Sequence, residues 1–287
     1  MYSRFALVGS TGRVGTLVVR ACSSYWADVP LQTRMVGATN SQQCLAWDIR
    51  DGSAPLRNWI SEYDMIDTLI VLAGVTTAKA GDVYDNVSIA EAYLEVAREV
   101  GIRRILLASS SAVYGAGDGQ PLAETSACLP LNDYGHAKLQ MEQVAGAYAT
   151  YGFEVCCMRI GNIAGADAML LNAPRATSRA PLMIDQFADG RGPLRSYLGP
   201  AQFGEILTSL ATHPEPLPAC LNVGGKMPVY MEDIAEAAGL PWIYTAAPKD
   251  VKQVITLDCT RLADLIRLPH GTGDATVIAK NWIRNKA

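Results

Sequence analysis

The sequence has little of what several classes of protein depend on. Only 18% of its 287 residues are charged, with 24 Lys and Arg against 28 Asp and Glu. The basic residues are scattered, and no basic stripe indicates a nucleic-acid interface. The three histidines, His136, His213 and His270, stand far apart and show no metal-ligand spacing. We therefore expect neither a nucleic-acid partner nor a metal site.

Long apolar segments and paired cysteines are also lacking. No run reaches the roughly 20 apolar residues of a membrane span, and Met1 to Arg4 lead into a strand-like run rather than a secretory leader. The seven cysteines form no C-x-x-C pair, and Cys156 and Cys157 stand in an apolar run typical of small buried residues. These features predict a reduced, cytoplasmic protein without a membrane segment.

Residues 1–165 alternate short apolar runs with longer segments of helical periodicity, for instance Val87–Val100 and Lys138–Tyr148. The apolar runs predict strands buried on both faces. They are Arg4–Val8, Thr33–Thr39, Thr68–Ala73, Arg104–Ala108 and Glu154–Ile160. The alternation predicts an α/β fold, a doubly wound parallel sheet of the Rossmann type.

The pattern changes after Gly165. We predict a dinucleotide-binding domain over residues 1–165 and a smaller substrate-binding lobe over residues 166–287, lying on the carboxyl edge of the sheet. The elements expected in this lobe are a short helix around Pro181–Ala188, a strand at Leu221–Val223, a helix at Met231–Ala238, a strand at Val254–Leu257 and a terminal helix near Ala275–Arg284.

A glycine-rich turn, Gly9-Ser10-Thr11-Gly12-Arg13-Val14-Gly15, follows the first predicted strand and opens a predicted helix. Glycine allows a tight turn and a close approach of main-chain N–H groups to a pyrophosphate, and the helix N-terminus supplies partial positive charge. In this context the turn predicts a dinucleotide site, with an ordinary glycine-rich turn as the alternative.

The choice of cofactor depends on an absent residue. The acidic residue expected about 20 positions after the turn, to hold the adenosine ribose, is missing. Without this carboxylate a 2′-phosphate is not repelled, and Arg13 and Arg34 can pair with it unless both are ordinary surface residues. The sequence thus slightly favours NADP over NAD. Asp48, followed by Ile49, can accept a hydrogen bond from the adenine or simply cap a turn.

The most informative pattern combines a serine, a tyrosine and a lysine. Tyr134 and Lys138 share one face of a predicted helix. A tyrosine has an ordinary pKa of about 10, and a nearby ammonium with an oxidised nicotinamide would lower it. The phenol could then exchange a proton with an alcohol or carbonyl oxygen, which Ser110 at a predicted strand end would polarise. A surface Tyr–Lys pair and an ordinary serine turn are the alternatives.

These segments together resemble an extended short-chain dehydrogenase/reductase of the NAD-dependent epimerase/dehydratase family. The resemblance is carried by the glycine turn, by residues 110–115 and 158–165, and by the Tyr–Lys pair. It implies three groups of site residues. The catalytic group is Ser110, Tyr134 and Lys138, the cofactor group is Gly9, Thr11, Gly12, Arg13, Val14, Gly15, Asp48, Ile49, Ala73, Gly74 and Ile163, and the substrate group is Ser111, Asn162 and Arg195, of which Arg195 would hold a phosphate.

The resemblance implies an NAD(P)-dependent oxidoreductase or epimerase acting at a secondary alcohol or ketone of a nucleotide sugar or related small molecule, and a homodimer formed through the helices that include the Tyr–Lys segment. No Asp–Glu pair follows the serines, which disfavours 4,6-dehydration. Ala164-Gly165-Ala166 replaces the usual Tyr-Gly-Pro, and the lobe is short, so the substrate stays open. A non-catalytic cofactor sensor or scaffold is the alternative, although such relatives usually lose the tyrosine and lysine kept here.

Overall fold

The computed structural model describes residues 4–35, 37–76 and 82–286. In this part the strands are β1 (Phe5–Val8), β2 (Leu31–Thr33), β3 (Cys44–Ala46), β4 (Thr68–Val71), β5 (Arg104–Ser110), β6 (Glu154–Ile160), β7 (Asn162–Ile163), β8 (Leu182–Gln186), β9 (Leu194–Arg195), β10 (Tyr197–Leu198), β11 (Cys220–Val223), β12 (Val229–Tyr230), β13 (Trp242–Ala246) and β14 (Val254–Ile255). The helices are α1 (Arg13–Cys22), α2 (Ala54–Glu62), α3 (Asp85–Val100), α4 (Asp133–Tyr148), α5 (Ala168–Asn172), α6 (Pro200–Ala211), α7 (Met231–Ala237), α8 (Thr260–Leu265) and α9 (Ala275–Asn285).

Within the described ranges, seven parallel strands form the central sheet in the order β11-β6-β5-β4-β1-β2-β3. Parallel neighbours require crossover connections, and helices supply most of them. The chain runs outward from β1 to β3 on one side and from β4 to β11 on the other. The order therefore reverses between β1 and β4, where a crevice opens at the carboxyl ends of the strands. The predicted doubly wound α/β fold is confirmed.

The two faces of the sheet carry separate apolar cores. Alternate residues along β6 point to opposite faces, so Cys156 packs with the α1 and α6 side and Cys157 with the α3 and α4 side. Both thiols are buried, as predicted, and burial raises the pKa of each. No helix in the described ranges is long and apolar enough to cross a membrane.

Two predicted elements are wrong. The predicted strand Thr33–Thr39 is instead β2, which ends at Thr33, and Gly37 has a φ of +80° that extended backbone does not adopt. The helix predicted around Pro181–Ala188 is instead β8, paired in parallel with β13. Its residues alternate between buried Leu182, exposed Met183 and buried Ile184, which is the period of a strand rather than of a helix.

Part of the chain beyond residue 165 completes the central sheet. β11 pairs with β6, and α6 packs against α1. Arg104, fully buried at the start of β5, donates to the carbonyl oxygens of Leu210 (2.8 Å) in the last turn of α6 and of His213 (2.9 Å) and Glu215 (2.8 Å) after it. The smaller strands β8, β9 and β12–β14 lie outside the sheet. The division of the chain at residue 165 stays a prediction.

Candidate active site

The loop between β1 and α1 forms one side of the crevice. Gly9 has a φ of +83°, and a Cβ at this position would lie 2.5 Å from the main-chain nitrogen of Ala73. A Cβ on Gly15 would collide with the carbonyl oxygen of Gly9. Gly12 is the N-cap of α1 and offers no capping side chain, which leaves the first N–H groups of the helix available to an anion.

A cavity of about 550 Å³ extends from this loop along the carboxyl ends of β1, β4, β5 and β6. Its volume lies within the range of small-molecule sites in proteins. Most of the predicted site residues line it. They are Gly9, Thr11, Gly12, Arg13, Val14, Ile49, Ala73, Gly74, Ser110, Ser111, Tyr134, Lys138, Asn162 and Ile163.

The segment after β4 is fixed by a buried amide. Asn86, in the first turn of α3, accepts from the N–H of Val75 (3.1 Å) and donates to the carbonyl oxygens of Val75 (2.8 Å) and Val83 (2.7 Å). A Cβ on Gly74 would lie 2.5 Å from the Asn86 Oδ1. The absence of a side chain at Gly74 therefore lets the main chain approach both Asn86 and the cavity.

The serine, tyrosine and lysine meet on the opposite wall. Tyr134 and Lys138 stand at the start of α4, whose N-cap Asn132 accepts from the N–H of Gly135 at 2.9 Å. The Lys138 Nζ donates to the carbonyl oxygen of Ala108 at 2.8 Å and lies 5.9 Å from the centroid of the Tyr134 ring. Ser110, at the end of β5, accepts from the N–H of Ala112 at 3.1 Å and lies close enough to Tyr134 to influence the pKa of its hydroxyl.

Burial dominates the titration of this pair. It raises the pKa of Tyr134, and the nearby Ser110 hydroxyl acts in the opposite direction. It also lowers the pKa of Lys138 to about 8, against the opposite influence of Cys157 and Glu142. In the protein alone, burial sets the direction of the Tyr134 shift, because desolvation disfavours the phenolate. The lowering of this pKa expected from the Lys138 ammonium together with an oxidised nicotinamide stays a prediction.

A buried ion pair behind the serines was missed from the sequence. Arg159 of β6 pairs with Glu142 of α4 at 2.8 Å, and Glu142 accepts from the Ser109 hydroxyl at 2.5 Å. Arg159 also donates to the Tyr114 hydroxyl at 2.9 Å. The available signal was Glu142 four residues after Lys138, on the same helix face. The network joins α4 to β5 and β6 next to the cavity.

The adenosine side of the crevice carries no carboxylate at the end of β2. Gln32 of β2 is buried and accepts from the N–H of Gly9 at 3.3 Å. The following Thr33 and Arg34 are not acidic, and the exposed Arg34 lines the cavity. Arg13 reaches the other way, with its Nη1 3.4 Å from the carbonyl oxygen of Ala166. Arg34 is therefore better placed than Arg13 to meet a 2′-phosphate.

Two predicted cofactor residues lie outside the cavity lining. Gly15 sits inside α1, packed on the main chain of Gly9. Asp48 caps a short helical turn and accepts from the main chain and side chain of Arg50, which holds the pKa of that carboxyl at about 2. The turn-capping alternative thus describes its contacts in the structure, and a contact with adenine stays a prediction.

Arg195 is also outside the cavity lining. Its Nη1 donates to the carbonyl oxygens of Leu194 (2.8 Å) and Gln253 (2.5 Å), and its Nη2 to that of Lys252 (3.0 Å). Two of these acceptors, Lys252 and Gln253, come from the segment before β14, far from Arg195 in the sequence. The predicted role of Arg195 in binding a substrate phosphate stays a prediction.

Sequence reasoning also missed Asp167, a buried residue of the cavity wall and the N-cap of α5. It accepts from the N–H groups of Met169 and Leu170, each at 3.1 Å, and from the Tyr197 hydroxyl at 3.1 Å. Burial raises the pKa of this carboxyl. An aspartate directly before an apolar run is an N-cap signal that could have found it.

A nicotinamide dinucleotide fits this crevice, because an uncapped helix terminus, crowded glycines and a long cavity meet where the strand order reverses. With the serine, tyrosine and lysine opposite, fold and site define an extended short-chain dehydrogenase/reductase. The model of the NAD dependent epimerase/dehydratase family matches residues 6–202. The chain belongs to this family, which confirms the resemblance found in the sequence.

Relatives and neighbours agree with this assignment. The chain is 29% identical over 178 residues to UDP-glucose 4-epimerase of Azospirillum brasilense, covering 57% of this chain and 50% of the relative. It is 32% identical over 212 residues to that of Streptomyces lividans, covering 69% and 64%. The chain thus spans about half to two thirds of the length of these two relatives.

Solved structures match over nearly the whole chain. The complex of MoeE5 with UDP-glucose and NAD has a TM-score of 0.76 at 21% identity, covering 98% of this chain and 99% of that one. UDP-glucose 4-epimerase from Brucella ovis in complex with NAD has a TM-score of 0.77 at 19% identity, covering 97% of each chain. At these identities the likeness establishes the shared fold.

Proposed function

We propose that this chain is an NAD(P)-dependent oxidoreductase or epimerase acting at a secondary alcohol or ketone of a nucleotide sugar or related small molecule. One observation carries the proposal: Ser110, Tyr134 and Lys138 line the same cavity as the glycine loop. The UDP-glucose 4-epimerase relatives and the NAD complexes among the structural neighbours support it. In this proposal residues 1–165 bind the cofactor, and Ser111, Asn162 and the lobe within 166–287 bind the substrate.

When bound, the nicotinamide would accept a hydride from the substrate carbon and could return it. Tyr134 moves the proton at the substrate oxygen. Its raised pKa keeps the phenol protonated, ready to donate when a carbonyl is reduced. Ser110, which lines the cavity beside the phenol, polarises the same oxygen. An ammonium has three N–H donors. Lys138 donates to the Ala108 carbonyl oxygen at 2.8 Å and to the Met141 sulfur at 3.8 Å, so it keeps one donor for the cofactor.

The first prediction concerns Tyr134→Phe. We expect turnover to fall by a factor of about 100 or more, the usual contribution of a positioned acid–base group. Affinity for the cofactor should stay within about twofold, since the ring is kept and only the hydroxyl is lost. Steady-state rates and cofactor titration measure the two effects. Unchanged turnover would remove the catalytic assignment of Tyr134, whereas a wild type that binds cofactor without any turnover would favour the sensor alternative.

Epimerase and reductase differ in how the cofactor is held. An epimerase returns the hydride to the same substrate, so its cofactor stays bound through the cycle, whereas a reductase exchanges the cofactor at every turnover. The discriminating measurement is the nicotinamide content of the purified, denatured protein by mass spectrometry. One equivalent per chain would favour the epimerase, and an empty protein with rapid exchange would favour the reductase.

The second prediction concerns the cofactor. NAD is the cofactor in the neighbouring complexes, whereas Arg34 and the missing carboxylate at the end of β2 slightly favour NADP. We expect NADPH to bind the wild type more tightly than NADH, and Arg34→Gln to weaken NADPH by about tenfold while leaving NADH unchanged, because a phosphate contact is lost. Calorimetric dissociation constants measure this. Tighter NADH binding by the wild type would end the preference for NADP.

A further inference from the structure

A second cavity, of about 450 Å³, lies beside α1 and has no role in the proposed function. It follows the helix face that carries Arg13, Thr16, Leu17 and Arg20, which recur at helical spacing. The other walls come from α5 and the residues after it, from Leu240 and from the end of α9. The volume suits a small organic molecule.

The floor of this second cavity is apolar. Leu17, Leu170, Ala173 and Trp282 line it, and each is less than one tenth exposed. The Trp282 ring lies against Gly165, where a Cβ would come 2.5 Å from the indole Cδ1. A ligand that covers this floor gains free energy by removing apolar surface from water.

The rim is cationic. Arg13, Arg20 and Lys286 line the cavity, and its described lining contains no Asp or Glu. Across residues 4–35, 37–76 and 82–286, none of the three forms an ion pair with an acidic side chain. In a chain with a net charge of −4, three cations around one apolar cavity without a carboxylate form a local positive field. Such a rim is complementary to an anion.

We infer that this cavity binds a small amphipathic anion, namely a carboxylate on an aromatic or medium-chain aliphatic body. The apolar body covers Leu17 and Trp282, and the carboxylate pairs with Arg20 and Lys286 at the mouth. Arg13 lines both cavities, so the ligand lies next to the glycine-rich turn assigned to the dinucleotide. The inference does not depend on the proposed catalytic activity.

The test titrates octanoate calorimetrically into the full chain. Octan-1-ol, which keeps the apolar body, and acetate, which keeps the carboxylate, are titrated as controls. Octanoate should bind with one site per chain and a dissociation constant near or below about 1 mM. Octan-1-ol and acetate should each bind at least about tenfold more weakly, because one lacks the charge and the other the apolar body. Octanoate binding should persist under saturating NADPH.

Variants locate the site. Arg20→Gln combined with Lys286→Gln should weaken octanoate by about tenfold or more. Leu171→Glu, which puts a carboxylate on an exposed rim residue, should weaken it as well. The matched control is Arg284→Gln, an exposed cation of α9 outside the lining. Both rim variants leave the buried floor intact, so neither is expected to unfold the chain.

Four results would overturn the inference. The first is the absence of octanoate binding at about 1 mM, and the second is binding of octan-1-ol or acetate as tight as that of octanoate. The third is a loss of octanoate affinity in Arg284→Gln equal to that in the rim variants, and the fourth is loss of octanoate binding when NADPH is added. The last result would place octanoate in the active-site cavity.

Discussion

Lys138 is an ammonium that the fold holds away from water. Its Nζ keeps a hydrogen bond to Ala108, yet burial lowers its pKa from 10.5 to about 8. A shift of this size corresponds to roughly 3 kcal/mol by which the charged form is disfavoured in the folded state at neutral pH. A buried charge at this cost is typical of a functional position, which agrees with the role proposed for Lys138.

The third prediction follows from this cost. Lys138→Met should raise the free energy of unfolding at pH 7 by about 2 kcal/mol, the cost of the charge less about 1 kcal/mol for the lost hydrogen bond. The folded wild type releases the proton near pH 8, before the unfolded chain does at 10.5, so wild-type stability rises across this window and the advantage of the variant shrinks. Urea unfolding at neutral and alkaline pH measures both trends, and turnover should be lost.

A variant less stable than wild type at pH 7 would mean that the bond to Ala108 outweighs desolvation. Tyr134→Phe serves as the control, because it changes the site without removing the ammonium.

At this scale the sequence predicted which side chains meet but not their titration. The strand end at Ser110 and the helical spacing of Tyr134 and Lys138 are local features, and local features place residues well. The pKa of Tyr134 depends on burial by distant segments. The contacts of Arg195 likewise depend on carbonyl groups near residue 253, more than 50 positions away, which no local pattern indicates.

Among the elements, helix α1 has no room for a side chain at Gly15, because this glycine is packed directly on the loop that precedes the helix. Helix α4 offers a natural contrast. Gly146 is also helical, but nothing lies within 4 Å of the Cβ it lacks. Substitutions at the two glycines therefore distinguish the steric requirement at Gly15 from the general destabilisation that a glycine causes inside a helix.

The fourth prediction uses this pair. Gly15→Ala should destabilise the fold by about 1–3 kcal/mol through overpacking and weaken cofactor binding, because the loop must move. Gly146→Ala should stabilise by about 0.5–1 kcal/mol, the usual gain over glycine in a helix interior. Urea unfolding and cofactor titration measure both variants. Equal cofactor affinity in Gly15→Ala and wild type would show that α1 shifts without disturbing the site.

The elements also show where sequence patterns fail. Strand β6 is observed with its predicted bounds, since the four residues 155–158 at its centre form an apolar run that is buried on both faces. Helix α6 was not predicted, because most of its residues are buried and leave no amphipathic period. The short strand β8 lies outside the central sheet and pairs with β13, a strand distant in the sequence, which no local pattern indicates.

For the whole molecule, we propose a homodimer through α4, as the family resemblance implies. The exposed residues of this helix after its first turn carry no formal charge. They are His136, Gln140, Gln143, Gly146 and Ala147. A solvent-facing helix surface usually carries charged residues, and interfaces are depleted of them at their centre. This surface is therefore a suitable contact between two copies.

The fifth prediction tests this assembly. Ala147→Arg should convert the dimer to a monomer, because a charge would be buried without a partner. Ala263→Arg, at an exposed alanine of α8, is the matched control and should leave the assembly unchanged. Light scattering after size-exclusion chromatography gives the mass of each variant. A monomeric wild type, or a dimer that persists in Ala147→Arg, would contradict the proposed interface.

Arg104 also bears on how the polypeptide is made. Its carbonyl partners follow it by 106, 109 and 111 residues. At a ribosomal rate of about 5–20 residues per second, these partners are synthesised roughly 5–20 seconds after Arg104. During that interval this corner of the nascent sheet must stay hydrated. Folding of this corner is therefore completed only after most of the polypeptide has been synthesised. Until then, the newly synthesised amino-terminal half is the part that chaperones have most need to protect.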